Sequence, residues 1–188
     1  MSKMVVRPAT ADDAAEIARI YSYHVVHTRA SLELEAPGAE EMARRRAEIV
    51  RRGMPYLVAE EDGAVIGYAY ANYYRPRAGY RFTVEDSIYV DPARTRRGCG
   101  QALLAALIEA CLQGPWRQMI AVIGDGDNAA SVRLHERFGF REVGRLISVG
   151  FKLDRWVDCV LMQRALGAET MMSTENTGTV DSSVYSID

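Results

Sequence analysis

The sequence predicts one α/β domain in which helices cover both faces of a mixed central sheet. Strand-like and helix-like stretches follow one another in the order β-α-α-β-β-β-α-β-α-β-β, and such interleaving is typical of this fold class. Two pairs of neighbouring strands are separated by short turn signals, which predict antiparallel hairpins inside the sheet. The 188 residues are 48% hydrophobic and 26% charged, which suits a single globular core.

The first predicted elements are a strand over residues 4–6 and two helices. Thr10 and Asp13 approximate a capping box at the start of the first helix, with Asp where Glu is usual. The second helix covers 39–52 and is closed by Gly53. His24 and His27 lie near the end of the first helix, where positive charge is favourable. Apolar residues at helical spacing form its buried stripe, Ile17, Ile20, Tyr21 and Val25.

The rest of the domain alternates strands with helices. Strands over 56–59 and 64–70 flank Glu61-Asp62-Gly63, a strong hairpin signal. After an irregular loop, a long strand runs over 80–90. Further strands are predicted over 119–123, 140–149 and 156–162, and further helices over 98–111 and 128–138. The domain covers 1–164, and the polar segment 165–188 is predicted to be a flexible tail.

A strand, a basic glycine-rich turn and a helix start follow one another around residues 90–101. Asp91-Pro92 ends the strand, since proline removes a donor from the ladder. Gly98-Cys99-Gly100 opens a helix, whose first N–H groups lack partners and carry partial positive charge. Two glycines allow a phosphate to approach the main chain closely. The nearby arginines, Arg94, Arg96 and Arg97, add charge, so the segment predicts an anion cradle.

Two better-known phosphate motifs do not fit this segment. A Walker loop requires Lys and then Ser or Thr after the second glycine, where Gln101 and Ala102 stand. A dinucleotide fingerprint requires a third glycine at the position of Leu103. The remaining alternative is an ordinary strand-to-helix turn with solvated arginines, which the convergence of charges and glycines disfavours.

Asn128, Ser131 and His135 fall on one face of the helix over 128–138, because residues three and four apart are neighbours on a helix. An amide, a hydroxyl and an imidazole therefore point the same way beside the end of a strand. The structural alternative is that Asn128 caps the helix and His135 packs in a polar pocket. Capping by Asn128 does not exclude a role in a site.

Glu85 is a carboxylate within an apolar strand, where a buried charge is costly. Its side chain either turns to water or serves a site. The preceding loop carries Arg75, Arg77 and Tyr80, a combination suited to gripping a small anion. The alternative for this loop is a solvated basic surface.

Composition excludes several classes of protein. The net charge of −2 gives no attraction to nucleic acid or to an anionic membrane, and no apolar run reaches the length of a membrane span. The three cysteines, like the three histidines, show no metal-ligand spacing. Without a hydrophobic signal segment at its start, the sequence predicts a reduced, cytoplasmic, metal-free protein.

These motifs together resemble the GNAT superfamily of N-acetyltransferases over residues 5–164. The shared pattern is a strand, a turn like R-x-x-G-x-G and a helix, followed by N-x-x-S-x-x-L-[YH]-x-x-x-G-F. More narrowly, TVE-x-S-x-YV, LHERFGF and the final WVDCVLMQR resemble the phosphinothricin and methionine sulfoximine N-acetyltransferases. The resemblance implies a mostly antiparallel sheet with splayed central strands, and acetyl-CoA as the donor.

By the same resemblance, acetyl-CoA would follow the cradle and the strand before it. Its pantetheine arm would pair like an added strand with Ile88, Tyr89 and Val90, near Asn128 and Ser131. Thr95 stands where the family usually has Gln or Arg, so Arg94 or Arg96 is expected to replace that side chain. The pyrophosphate would lie on the N–H groups of Arg96, Arg97, Gly98, Cys99, Gly100 and Gln101.

The resemblance also implies direct transfer of the acetyl group to an α-amine. Such an amine has a pKa of about 8 and is largely protonated at neutral pH, so a base is needed. Glu85 is the candidate base, and N–H groups near Tyr89 would polarise the thioester oxygen. His135 would donate to the leaving thiolate or relay the amine proton. Cys99 has no adjacent base and is not expected to be a nucleophile.

The acceptor and the partner are also expected from the subfamily. Arg75, Arg77 and Tyr80 match its acceptor-binding positions, and Leu32 is expected to wall the pocket. A homodimer would complete the site near Lys152 and Trp156. Two alternatives remain: the acceptor is another amine, such as a protein N-terminus or an antibiotic, or the chain is a non-catalytic acetyl-CoA sensor. The arginines argue against a protein acceptor, and Glu85 with His135 argues against a silent sensor.

Overall fold

The computed structural model describes residues 4–95, 97–125 and 128–167, which form strands and α-helices in the predicted order. The strands are β1 (Met4–Pro8), β2 (Tyr56–Glu61), β3 (Ala64–Tyr73), β4 (Thr83–Val90), β5 (Gln118–Gly124), β6 (Arg141–Lys152) and β7 (Arg155–Ala165). The helices are α1 (Ala14–His27), α2 (Ala39–Arg51), α3 (Cys99–Leu112) and α4 (Ala129–Arg137).

The strands form one sheet in the order β1-β2-β3-β4-β5-β7-β6. Neighbouring strands are antiparallel except β4 and β5, which run parallel. Both predicted hairpins are present, and each turns through two residues with positive φ, Asp62-Gly63 and Leu153-Asp154. Such turns match the twist of hairpin strands. The predicted mixed, mostly antiparallel sheet is confirmed.

The two central strands separate halfway along β4. Their ladder runs from the pair Thr83 and Gln118 to the pair Asp86 and Ala121, although β4 continues to Val90. This divergence confirms the splayed central strands that the resemblance implies. It opens a cleft in the middle of the sheet, beside the second half of β4.

Helices cover both faces of the sheet, as predicted. Tyr89 of β4 packs edge-on against Tyr21 of α1, with ring centroids 4.9 Å apart. On the opposite face, α3 approaches β3 so closely that a Cβ at Gly67 would lie 2.8 Å from Sγ of Cys99. The core fills the space on both sides. Its largest fully buried side chains are Tyr68, Ile17, Ile20, Leu103, Leu104, Leu107, Met119, Met162, Val25, Val58, Val84 and Val157.

Strand β4 starts later than the sequence indicates. The predicted strand over 80–90 begins at Thr83, because Ala78–Tyr80 forms a 3-10 turn. Tyr80 N–H donates to the carbonyl oxygen of Arg77 at 2.9 Å, so this main-chain donor serves the turn and not the sheet. At the other end of the domain, β7 extends to Ala165. Residues 168–188 of the predicted tail lie outside the described residues.

In the part of the chain that the structure describes, no helix is long and apolar enough to cross a membrane. In the same ranges, no group of three or more His, Cys, Asp or Glu side chains is arranged to hold a metal ion.

Candidate active site

The separation of β4 and β5 forms a cleft of about 270 Å³. Its walls come from both strands, from α4 and β7, and from the loop between α1 and α2. The cleft brings together side chains that are far apart in the sequence. Among the residues predicted for a site, it is lined by Leu32, Glu85, Ile88, Tyr89, Asn128, Ser131 and His135.

The free edge of β4 borders this cleft. Asp91 N–H donates to the carbonyl oxygen of Ile66 at 2.9 Å, and residues that bond to a neighbouring strand alternate along an antiparallel ladder. Tyr89 therefore directs its main-chain groups to β3. Ile88 and Val90 direct theirs to the side where β5 has separated. Of the three strand residues predicted to bind the cofactor, Ile88 and Val90 direct their N–H groups to the cleft, and Tyr89 directs its N–H group to β3.

Glu85 is half-buried in this cleft and stands opposite Asn72 in the β3–β4 ladder. Burial raises the pKa of its carboxyl to about 7, the charge of Asp86 adds to this rise, and Arg75 acts in the opposite direction. A carboxyl with a pKa near 7 is suited to proton transfer at neutral pH. The alternative that Glu85 simply turns to water does not fit this environment.

His135 is only 3% exposed, and both of its ring nitrogens have partners in the protein. Nδ1 lies 2.8 Å from the carbonyl oxygen of Ser131, one turn back along α4. Nε2 lies 3.0 Å from Oδ2 of Asp86 on β4. Burial lowers the pKa of this imidazole, but the hydrogen bond and charge of Asp86, with the Ser131 carbonyl, outweigh burial and raise the pKa above its usual value.

Asn128 caps α4, as the structural alternative predicted. Its side-chain oxygen accepts a hydrogen bond from Ser131 N–H at 3.2 Å. The cap fixes the start of α4, where the helix carries partial positive charge, beside the cleft. Asn128, Ser131 and His135 lie on the helix face that lines the cleft, so the cap and a site are compatible.

The predicted anion cradle forms one side of a second cavity, a groove of about 710 Å³ between the start of α3 and α4. Gly98 has φ of 81°, a left-handed conformation that favours glycine. A Cβ at Gly100 would lie 3.3 Å from Cδ2 of Leu134, so this glycine allows α4 to come close. The groove is lined by Val90, Thr95, Gly98, Cys99, Gly100, Gln101, Ala130, Arg133, Leu134 and Arg137.

Positive charge reaches this groove from residues that the sequence analysis missed. Arg133 and Arg137 lie one helical turn apart on α4 and both line the groove. Their spacing of four residues, next to the face of Asn128, Ser131 and His135, is a signal in the sequence that would have identified them.

The cradle arginines are placed differently from the prediction. Arg94 contacts Oε2 of Glu61 at 3.1 Å, and Arg97 contacts the same atom at 3.5 Å. Their charge is thus partly matched by a carboxylate of β2, and does not surround the cradle freely. Arg96 lies outside the described residues.

The structure places one of the predicted acceptor-binding residues in the wall of the cleft and three on the loop between β3 and β4. Leu32 lines the cleft, whereas Arg75, Arg77 and Tyr80 are exposed on the loop between β3 and β4. The Arg75 guanidinium stacks over the ring of Tyr74, 4.9 Å from its centroid. Arg75 is close enough to Glu85 to lower the pKa of that carboxyl, so the loop meets the cleft at Glu85.

The loop between α1 and α2 forms the roof of the cleft and is tightly held. Nζ of Lys152, at the end of β6, donates to the carbonyl oxygen of Ser31 at 2.5 Å. A Cβ at Gly150 would lie 2.8 Å from Cδ2 of Leu32, so the glycine allows the roof to touch β6. The Glu85 carboxyl and the roof therefore enclose the same small space.

The cysteines near the site are protonated thiols at neutral pH. Burial raises the pKa of Cys99 to about 11. Cys159 lines the cleft, and burial raises its pKa as well. This supports the expectation that Cys99 is not a nucleophile, because the thiolate is the reactive form.

Known proteins match both the sequence and the fold. The acetyltransferase (GNAT) family matches residues 19–140. A phosphinothricin N-acetyltransferase of Alcaligenes faecalis is 52% identical over 163 residues, which are 87% of this chain and 83% of that protein. An L-methionine sulfoximine/L-methionine sulfone acetyltransferase of Salmonella typhimurium is 37% identical over 163 residues, 87% of this chain and 95% of that protein. A crystal structure of a GNAT superfamily phosphinothricin acetyltransferase from Sinorhizobium meliloti in complex with AcCoA has a TM-score of 0.84 and 45% identity, and the match covers 87% of this chain and 89% of that one.

Proposed function

The chain belongs to the acetyltransferase (GNAT) family, and we propose that it transfers the acetyl group of acetyl-CoA to the α-amine of small amino-acid analogues. The acceptor is of the phosphinothricin, methionine sulfoximine or methionine sulfone type, and transfer is direct, in a ternary complex. The observation that carries this proposal is the cleft that joins the open edge of β4 to the half-buried Glu85. The activities for which the two relatives are named support this acceptor class.

The residues present fit acetyl-CoA at two places. The glycine turn at the start of α3 offers main-chain N–H groups to the pyrophosphate, and Arg133 and Arg137 add positive charge. The open edge of β4 suits the amides of the pantetheine arm, with Asn128 and Ser131 beside it. When bound, acetyl-CoA supplies the thioester carbonyl. The cradle residues assigned to it are Arg96, Arg97, Gly98, Cys99, Gly100 and Gln101, and the strand residues are Ile88, Tyr89 and Val90.

Glu85 is assigned as the general base. Its raised pKa, about 7, lets the carboxylate accept a proton at neutral pH and release it again to water. The acceptor amine needs this step because its protonated form is not nucleophilic. His135, which lines the same cleft, is assigned as the second side chain that acts on the reacting groups. The N–H groups of Ile88 and Val90 are the donors best directed to polarise the thioester oxygen.

The acceptor is assigned to the Glu85 end of the cleft. Arg75 and Arg77 supply positive charge for its carboxylate and for its phosphinate or sulfoximine head. Tyr80, 41% exposed, offers a hydroxyl on the same loop. Leu32 in the roof walls the pocket against the acceptor's side chain.

A panel of amines with acetyl-CoA tests the proposal. Release of free thiol is measured with phosphinothricin, methionine sulfoximine, methionine sulfone, the common amino acids, an aminoglycoside and a peptide with a free N-terminus. The expected result is a preference for the first three in kcat/KM. A preference for the peptide or the aminoglycoside contradicts the acceptor class. Tight acetyl-CoA binding without thiol release from any amine contradicts catalysis and indicates a sensor.

We also propose that two copies pair through the β6–β7 hairpin. β6 is an edge strand, and open apolar edges are hazards that proteins normally cover. Trp156 is 68% exposed and packs edge-on against Phe151, at 5.2 Å between centroids. The hairpin also carries Lys152, which holds the roof, so a partner there adjoins the site. The exposed apolar residues of this hairpin are Val143, Leu146, Ile147, Val149, Phe151, Leu153 and Trp156.

Light scattering tests the dimer. The parent chain is expected to have twice the monomer mass at micromolar concentration, and Trp156→Glu is expected to be monomeric. Val26→Glu, which adds the same charge at an exposed position of α1, is the matched control and should remain dimeric. A monomeric parent chain contradicts the proposal.

We also propose that the protein is cytoplasmic and that it confers resistance to phosphinothricin. Cys99, Cys111 and Cys159 are all free, as expected in a reducing compartment. Acetylation removes the positive charge and the nucleophilicity of the acceptor amine. Expression in a phosphinothricin-sensitive bacterium tests this role: growth in the presence of the compound is expected for the parent chain and not for Glu85→Gln.

A further inference from the structure

The contact between Asp86 and His135 joins two walls of the cleft and has no role in the assignments above. Asp86 is only 7% exposed, and its Oδ2 lies 3.0 Å from Nε2 of His135. Successive side chains of a strand point to opposite faces, so Asp86 reaches α4 while Glu85 lies toward the other side. The contact therefore links the strand that carries the base to the helix that carries Asn128 and Ser131.

The hydrogen bonds of His135 determine its protonation state. The carbonyl oxygen of Ser131 can only accept, so Nδ1 carries a proton. An ionised carboxylate also only accepts, so Nε2 carries a second proton. The alternative, a neutral imidazole facing a protonated carboxyl, puts the proton on a group that is a weaker base by roughly 2–3 pK units in water. The geometry corresponds to an imidazolium bonded to a carboxylate.

The surroundings also favour this cation. His135 lies in the last turn of α4, where the helix dipole favours positive charge. The titratable groups around the pair are Glu85 on β4, Cys111 on α3 and Cys159 on β7. Burial raises the pKa of Cys111 to about 12 and raises that of Cys159, so both thiols are neutral near pH 7. The wall from β5, residues 121–124, is uncharged, and Phe140 covers the imidazole edge-on at 5.0 Å.

We infer that Asp86 is a positioning residue for acetyl transfer: its carboxylate holds His135 as an imidazolium, with both ring N–H groups bonded inside the protein, and so keeps a fixed positive charge beside the cleft. The role in transfer rests on the proposed function, whereas the ion pair does not. Because both N–H groups are committed, His135 acts through its charge and does not hand a proton to the departing thiolate. A fixed cation stabilises negative charge that develops on the thioester during attack.

The ion pair between Asp86 and His135 also explains how the site can hold two adjacent carboxylates, Glu85 and Asp86. Asp86 stands next to Glu85 and raises the pKa of that base, and an unmatched charge there would oppose ionisation of Glu85 more strongly. The imidazolium of His135 partly matches the charge of Asp86. Ionisation of Glu85 is therefore opposed less than it would be beside an unmatched carboxylate.

Nitrogen NMR of the histidine rings tests the ion pair without any substrate. The chain is labelled at its three histidines, and His135→Gln assigns the signals of His135. Both ring nitrogens of His135 are expected to be protonated at pH 7. In Asp86→Asn, one of them is expected to have lost its proton at that pH. A bare ring nitrogen on His135 of the parent chain at pH 7 overturns the inference.

Steady-state kinetics with methionine sulfone test the positioning role. Asp86→Asn is expected to lower kcat at least about tenfold while the KM for acetyl-CoA changes less than about twofold. His135→Gln keeps an N–H donor toward Asp86 but no charge, and should lower kcat to a similar extent. In the double variant, Asp86→Asn should add less than about a twofold loss, because it acts through His135. Asp62→Asn, the same change in the exposed β2–β3 turn, is the matched control.

The outcomes separate the inference from the proposed function. Losses that multiply independently in the double variant, or an Asp86→Asn enzyme with the parent kcat, overturn the positioning role. Thermal unfolding shows whether each variant is folded, and Asp86→Ser replaces Asp86→Asn if the latter is not. A parent chain that acetylates no amine contradicts the proposed function, and with it the role of Asp86 in transfer, while the nitrogen spectrum still decides the ion pair.

Discussion

Nζ of Lys152 lies 2.5 Å from the carbonyl oxygen of Ser31, and this bond fastens the end of β6 to the roof of the cleft. Lys152 is only 4% exposed, and burial lowers the pKa of its amine. The hydroxyl of Ser31 lies 2.9 Å from Oη of Tyr21. A series of contacts therefore runs from the β6–β7 hairpin through the loop between α1 and α2 to α1. The position of this loop over the cleft depends on the hairpin.

Lys152→Met removes this fastening and keeps most of the buried volume. A lost hydrogen bond from a charged group is worth about 1–3 kcal/mol, so the roof is expected to loosen over the acceptor. The KM for the acceptor should rise about fivefold or more, with little change in the KM for acetyl-CoA. Arg155→Met, at an exposed cation of the same hairpin, is the matched control. A rise in the acetyl-CoA KM alone would contradict this view of the roof.

Glu85→Gln keeps the shape of the side chain and removes its ability to accept a proton. The loss in kcat at pH 7 is expected to be about 10²–10⁴-fold. Because the pKa of Glu85 is about 7, kcat/KM of the parent enzyme should rise with pH through that value as the carboxylate forms. The deficit of the variant should shrink above about pH 8, where the amine deprotonates unaided. A variant with near-normal kcat at neutral pH would remove Glu85 from the mechanism.

The same substitution is expected to change the pH dependence of stability. The pKa of Glu85 is raised from 4.5 to about 7 in the folded protein, so its contribution to stability is present below pH 4.5 and is lost as the pH rises through 7. Above that pH, Glu85→Gln should be more stable than the parent chain by about 1–3 kcal/mol. Urea unfolding at several pH values measures the difference. Glu109→Gln, at an exposed site of α3, should track the parent chain at every pH.

Arg133 and Arg137 are expected to attract the phosphates of acetyl-CoA. Replacing both with Ala should raise the KM for acetyl-CoA about tenfold or more, with kcat and the acceptor KM nearly unchanged. The loss should diminish at high ionic strength, because salt screens the charges in the parent chain as well. Arg51→Ala, at an exposed cation of α2, controls for a general effect of charge. An equal rise in the KM for the acceptor would contradict a specific role of the two arginines in cofactor binding.

Arg77→Ala is expected to weaken binding of the acceptor without weakening binding of acetyl-CoA. Arg77 lies on the exposed loop that meets the cleft at Glu85, and a guanidinium can bind a carboxylate or a phosphinate through two parallel hydrogen bonds. Affinity for phosphinothricin should fall about tenfold or more, and affinity for acetyl-CoA should be unaffected. Calorimetry measures both in the same sample. If both affinities fell together, the loop would have a structural role.

Local patterns in the sequence were sufficient to predict the elements that position the residues of the site. The stripe of α1, the Asn128 cap and the turn at Gly98 each depend on residues only a few positions apart, and the structure confirms all three. The predicted start of β4 was wrong because the N–H groups of Tyr80 and Arg81 donate to the carbonyl oxygens of Arg77 and Ala78 in a local turn, which competes with the strand. The splay of β4 and β5 came from the family resemblance, since no local pattern encodes where two strands part.

Long-range pairings account for what the sequence did not indicate. Asp86 and His135 are 49 residues apart, and no spacing rule connects a strand carboxylate to an imidazole on a later helix. His24 was expected to serve the end of α1 by its charge. Its Nε2 instead lies 2.9 Å from the carbonyl oxygen of Val90, and burial lowers its pKa. Contacts of this kind can be predicted only when the order of the strands in the sheet is known.

β4 ceases to pair with β5 after Asp86, so an open strand edge lies in the interior of the sheet and not at its border. Open edges can recruit strands from other molecules, and proteins usually protect them with charges or short strands. If acetyl-CoA pairs with this edge as proposed, the bound cofactor covers it and stabilises the folded chain by mass action. The free energy of unfolding is then expected to rise with the concentration of acetyl-CoA.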